Sequence, residues 1–144
     1  MTKKVVGLYE LITGVFGVIF LIYSVFIKNK VALSEGILLQ VVLGVALFGF
    51  LAYAGYGLLN GLKNAEKFSM AIQAFQIPLL FLPSYIYKFS AASFLIVGIK
   101  NGHFNWVASS QPINYTIAMN YSDDIVVMVY IVPIIILLAL IKSK

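Results

Sequence analysis

Cysteine is absent from the chain, which excludes disulfides, thiolate metal sites and cysteine nucleophiles and leaves the redox compartment open. Arginine is absent too, so all ten basic residues are lysine. Charge of either sign is scarce: 10% of residues are charged and 62% are hydrophobic, whereas soluble domains run at roughly a quarter charged. A chain of this composition lacks the polar surface to face water on all sides. Three chemical signatures are also missing: a Walker-type phosphate loop, a G-x-S-x-G elbow and an H-E-x-x-H pair. The net charge of +5 is carried by lysines dispersed between apolar segments. That placement suits membrane flanks, not a basic stripe, so nucleic acid is not an expected partner.

Long apolar runs are what the sequence does contain. Val5–Ile27 has 23 residues and a single charge, Glu10; Ile37–Leu59 has 23 and Phe68–Tyr87 has 20, both uncharged; Ile125–Ile141 has 17, also uncharged. A helix rising 1.5 Å per residue needs about 20 residues to cross a hydrocarbon core of roughly 30 Å. The chain of 144 residues therefore reads as one integral membrane domain, a mainly α four-transmembrane-helix bundle. Its helices are expected at about 5–27, 37–59, 67–86 and 123–141. Ser122, Asp123 and Asp124 suit the start of the fourth helix by capping free amides and meeting the positive dipole end. Lys3 and Lys4 precede the first run as they would in a signal peptide. The run is longer than a usual signal core, Glu10 interrupts it and no A-x-A site follows, so an uncleaved first helix is the better reading.

Lysine placement orients such a bundle. One side would hold Lys3, Lys4, Lys63, Lys67, Lys142 and Lys144, and the other Lys28, Lys30 and Lys100, with Lys88 near the boundary. This predicts a multi-pass protein of the cell membrane, an inner membrane in a bacterium, with both termini cytoplasmic.

Residues 88–121 do not read as helix. From Tyr85 to Ile99 the odd positions are mostly apolar and the even ones mixed, a period of two. Asn101-Gly102 follows, a dipeptide whose members tolerate positive φ and which marks hairpin turns. Folding the chain there pairs Lys100 with His103, Ile99 with Phe104, Val97 with Trp106 and Leu95 with Ala108. The last three pairs form one apolar face, while Lys100, Gly98, His103, Asn105 and Ser109 share the other. Beyond Gln111-Pro112, residues Ile113, Tyr115, Ile117, Met119 and Tyr121 alternate with Asn114, Thr116, Ala118 and Asn120. The pattern predicts a small extracytoplasmic antiparallel hairpin or three-stranded sheet between the third and fourth helices, with a helical or irregular segment as the alternative. Its apolar face would rest on helix ends or lipid, with Trp106 and the tyrosines at headgroup level.

Glu10 is the one carboxylate inside an apolar run, and intramembrane ionisable groups are costly enough to mark candidate sites. Gly7, Gly14 and Gly17 share its helix face and would let a second helix approach closely, turning Glu10 into the bundle. Gln73 and Gln76, one helical face of the third run, and Tyr53 and Tyr56 of the second reach a similar depth. Together these five form a candidate intramembrane polar cluster. It has two readings, a proton or small-solute site and plain interhelical hydrogen bonding; the second is favoured because no base, cation ligand or second carboxylate joins Glu10. His103 is the only histidine, and with Asp123 and Asp124 twenty residues away it makes no zinc spacing, so neither metal nor cofactor is expected. The function expected is that of an accessory or interaction protein without catalysis, with the bilayer and a second copy or another membrane protein as partners. The alternative is an oligomeric small transporter or channel using Glu10, Gln73 and Gln76. An enzyme is disfavoured because acid–base chemistry needs convergent titratable groups.

Overall fold

The computed structural model describes residues 2–28, 35–91, 95–108, 113–119 and 125–142. Its chain order is α1 (Thr2–Ile22) with a π-helical continuation at Tyr23–Lys28, α2 (Glu35–Asn60), α3 (Ala65–Gln76), β1 (Pro78–Leu82), β2 (Tyr85–Ala91), β3 (Leu95–Lys100), β4 (His103–Ala108), β5 (Ile113–Met119), β6 (Val126–Tyr130) and α4 (Ile131–Lys142). The chain divides into two compact units, Met1–Ile72 and Gln73–Lys144.

The first unit is built on a helical hairpin. Three glycines of α1 remove side chains where α2 comes closest: a Cβ on Gly7 would sit 2.9 Å from the Gly55 carbonyl oxygen, and one on Gly14 would sit 2.5 Å from the Ala52 nitrogen. A Cβ on Gly17 would run into the Phe48 ring. Because positions 7, 14 and 17 meet 55, 52 and 48 in turn, the helices are antiparallel. Small residues buy this proximity, which apolar helices use in place of a hydrophobic driving force. α2 ends at Gly61, whose φ of +66° suits glycine. There the Leu62 amide donates to the Gly57 carbonyl at 2.9 Å, closing the last turn in a Schellman arrangement. The first turns of α3 return onto the hairpin, with the Phe68 ring edge-on to Phe50 at 5.7 Å between centroids.

The second unit is a six-stranded antiparallel sheet in the order β4-β3-β6-β1-β2-β5, followed without a break by α4, which packs on β3. One face of the sheet buries Leu79, Ile96, Val126, Met128 and Tyr130, with Phe81 packed beside them. At Asn101 and Gly102 φ is +49° and +81°, and the chain reverses with Lys100 opposite His103, Ile99 opposite Phe104 and Val97 opposite Trp106. That is the register expected from the alternation.

The architecture corrects the four-helix membrane bundle. Among the described residues, two helical stretches, Lys3–Ile27 and Gly36–Asn60, are long and apolar enough to cross a membrane. The third expected span, 67–86, is helical only to Gln76. Pro78 has no amide to donate and biases Ile77 away from helix, so the chain turns extended and opens β1. Pro83 then lies at the reversal into β2, where Leu82 pairs with Tyr85. The fourth expected span, 123–141, splits into β6 and the 12-residue α4, which at 1.5 Å per residue reaches only about 18 Å. Pro133 sits in the first turn of α4, where a missing amide costs nothing. The β segment, expected to have two or three strands over 88–121, extends instead from Pro78 to Tyr130 and takes in the second half of the third apolar run and the start of the fourth. Asp123 and Asp124, expected to cap the fourth span, and Ser109, Asn120 and Tyr121 lie outside the described residues.

Gly98 is where β3 and β6 come closest, for a Cβ there would strike the Val127 carbonyl oxygen and lie 2.5 Å from the Met128 Cα. Gly98→Val should therefore destabilise the sheet by about 1–3 kcal/mol through overpacking. Gly102→Ala, which only strains a positive φ, should cost about 1 kcal/mol. Denaturant titration of the full chain with Trp106 fluorescence as the reporter measures both, and equal losses would contradict the close approach at Gly98.

Candidate functional site

Glu10 is fully buried on α1. Its Oε1 accepts a hydrogen bond from the Ser69 hydroxyl of α3 at 2.5 Å. The helix packing explains the placement. Gly55 lets α2 come so near that a Cβ there would lie 2.9 Å from the Glu10 Cβ, and the start of α3 covers the same region. A second link between the same two helices joins Lys3 Nζ to Glu66 Oε1 at 2.6 Å, in a part-exposed ion pair. Thr13, one turn beyond Glu10, turns its hydroxyl back to the Tyr9 carbonyl at 2.7 Å. Glu10 is thus surrounded by protein and held by a neutral donor.

The two aromatic members of the expected cluster stand elsewhere on α2. Tyr53 and Tyr56 are 52% and 51% exposed, and the Tyr53 ring tilts against Phe68 at 6.1 Å. Gln73 and Gln76 belong to the second unit, and both are buried. The Gln76 Oε1 accepts from the Ala91 amide at 2.9 Å, so this side chain satisfies a backbone donor at the end of β2. The structure therefore brings Glu10 together with Ser69, gives Gln76 a role in the sheet and leaves Tyr53 and Tyr56 on the surface. Ser69 was missed in the sequence. The signal was there, since Ser69, Gln73 and Gln76 fall on one face of α3 at i, i+4 and i+7.

Along the sheet, β2 and β5 carry tyrosines on one face and Lys88 on the other. The Tyr87 hydroxyl donates to the Phe75 carbonyl at 2.7 Å. Burial, and then the neighbouring Tyr85 and Tyr115, push Tyr87 up to about 12. Burial and then Tyr85 do the same to Tyr115, also to about 12. Both therefore remain neutral hydrogen-bonding groups through the physiological range. Lys88 is half-buried, and desolvation holds its ammonium below the ordinary lysine value. Among the described residues, no three or more of His, Cys, Asp or Glu gather as a metal site, and His103 is an exposed residue of the β3–β4 turn. No family model, curated protein or solved structure matches the chain.

The Glu10–Ser69 contact makes a quantitative prediction. Ser69→Ala removes a hydrogen-bond donor from a buried carboxylate oxygen and should destabilise the first unit by about 1–3 kcal/mol. Replacing both partners, Glu10→Leu with Ser69→Ala, removes the polar demand as well and should cost less than the sum of the single changes. Unfolding of the four members of the cycle in a denaturing detergent series reads the coupling, and strict additivity would show that the two side chains do not depend on each other.

Proposed function

We propose that this chain is a membrane-anchored accessory protein that binds instead of catalysing, with α1 and α2 as a two-span anchor and the sheet as the part that engages other molecules. The observation that carries the anchor is the exposure of apolar helix faces. Each 18-residue apolar window in Lys3–Ile27 and Gly36–Asn60 is only 28% buried. A core helix of a soluble protein hides most of its apolar surface, whereas here Leu8, Ile12, Val15 and Ile19 form an exposed stripe along α1, and Leu38, Leu39 and Val42 are exposed on α2. Lipid is the medium that such faces suit.

In the sequence, Lys3, Lys4, Lys63 and Lys67 lie at one pair of ends of the two long apolar runs, and Lys28 and Lys30 at the other. The excess supports placing the first end in the cytoplasm. With two crossings instead of four, the sheet then falls on that same side, opposite to the side a four-span topology gives it.

Two features support binding over catalysis. Glu10 and Lys3 are engaged by Ser69 and Glu66, in contacts that hold helices together. β4 is an edge strand of the sheet, and Phe104 and Trp106 stand 74% and 64% exposed on it. Exposed apolar groups on a strand edge are what β-pairing partners use. The transporter alternative loses support, because Tyr53 and Tyr56 face outward and Gln76 is committed to the Ala91 amide.

Membrane extraction and labelling test this reading. The chain should stay in the pellet after alkaline carbonate treatment. In the cysteine-free background, Lys63→Cys and His103→Cys should react with an impermeant maleimide from the same side, and Lys30→Cys from the opposite side. Release by carbonate, or labelling of His103→Cys from the side opposite Lys63→Cys, would overturn it.

A further inference from the structure

The face of the sheet that buries its core also holds a cavity of about 360 Å³. Leu79, Ile96, Val126 and Met128 make its floor, and all four are buried. Strand register sets polar groups around this floor: Lys88 lies opposite Leu79, Lys100 opposite Val126 and Asn105 opposite Gly98. All three polar side chains line the cavity. The volume lies within the range of roughly 300–1,000 Å³ typical of small-molecule sites, and an apolar wall with a few polar groups is their usual composition.

The two charged side chains among the described lining residues, Lys88 and Lys100, are both cationic. Lys88 is half-buried against the apolar floor, a position that costs an ammonium its hydration and that an anion would relieve. An inorganic anion would satisfy the lysine and leave the floor empty, while a neutral hydrocarbon would fill the floor and ignore the lysine. A molecule with an acyl chain and an anionic head answers both.

We propose that this cavity binds a single-chain amphipathic anion, with its chain on the Leu79–Ile96–Val126–Met128 floor and its carboxylate or phosphate head at Lys88. Lys88 supplies the charge-assisted hydrogen bond, while Asn105, four strands away across the floor, lines the far end of the cavity. The bilayer is a source of both head groups, as free fatty acid or as phosphorylated single-chain lipid. The site itself stands on the sheet alone and does not depend on how the chain is anchored.

The test uses the full chain in phosphatidylcholine nanodiscs, with empty discs as the reference. The probes are octanoate carrying a ¹³C carboxyl, octyl phosphate read by ³¹P NMR, and octanol read by competition. One or both anions should bind at least about tenfold more tightly than octanol, the gain expected of one charge-assisted hydrogen bond. Preference for octanoate or for octyl phosphate identifies the head group. Lys88→Gln should bring the anions down to the level of octanol and leave octanol unchanged, and Lys88→Arg should keep most of the anion affinity. Val107→Trp, at an exposed position on the cavity wall, should weaken all three probes. The proposal is overturned if octanol binds as well as the anions, if no probe binds, or if Lys88→Gln leaves anion affinity intact. Should Lys88→Gln fail to fold, unchanged binding in Val107→Trp overturns it instead. Carbonate extraction of the same variants reads anchoring separately, so loss of the site and loss of the anchor are distinguishable.

Discussion

The amide that Pro78 cannot donate shapes the second unit. The apolar run around it would otherwise continue α3 as a helix, with every backbone group paired inside the segment. Withholding one donor and steering Ile77 toward extended geometry makes a ladder the better way to satisfy the following residues. The resulting β1 is a central strand, hydrogen-bonded to β2 on one side and β6 on the other. The Tyr130 amide donates to the Ile77 carbonyl at 2.9 Å, tying the end of β6 to the residue just before that proline. Neither β1 nor β6 is amphipathic enough to be an exposed strand. Each becomes stable because the other covers its edge.

The first unit solves the same problem with a different backbone. Its helices satisfy their own amides, so side chains are free to settle how closely they pack. Gly7, Gly14, Gly17 and Gly55 bring α1 and α2 into backbone contact, and that proximity encloses Glu10 where Ser69 reaches it. The outward faces of the helices are then mostly apolar, with Gln40, Tyr53 and Tyr56 as polar exceptions on α2. A buried carboxylate and a lipid-suited exterior follow from one close approach.

The sheet inverts the ordinary use of its faces. On β3 and β4 the uniformly apolar side, with Ile99, Phe104 and Trp106, is the exposed one. The mixed side, with Lys100, Gly98 and Asn105, turns toward the buried residues Ile96, Val126 and Met128. An alternation of residue types fixes that two faces exist and which residues share them. It does not say which face meets the core, because that depends on the neighbours at β6 and β1. Those neighbours were hidden in runs whose uniform apolarity carries no period.

Composition and spacing by themselves determined several things about this protein. The scarcity of charge, the first two long apolar helices, the glycine face of α1, the burial of Glu10 on that face and the Asn101–Gly102 hairpin with its register were all legible, because each rests on contacts a few residues apart or on a face set by a local period. Tertiary structure alone decided the rest. Phe68–Tyr87 and Ile125–Ile141 are long enough for helices and apolar enough for lipid, and a continuously apolar run has no period to separate a helix from a strand buried among neighbours. What settled them was pairing between segments some fifty residues apart, Leu79 with Met128 and Phe81 with Val126. The cavity and Lys88's place in it arise from that same pairing, so no stretch of sequence shows them. Among the described residues, the stretches long and apolar enough to cross a membrane are thereby narrowed from the expected four to two, Lys3–Ile27 and Gly36–Asn60, and the other apolar runs are divided among the short helix α3, the sheet and α4.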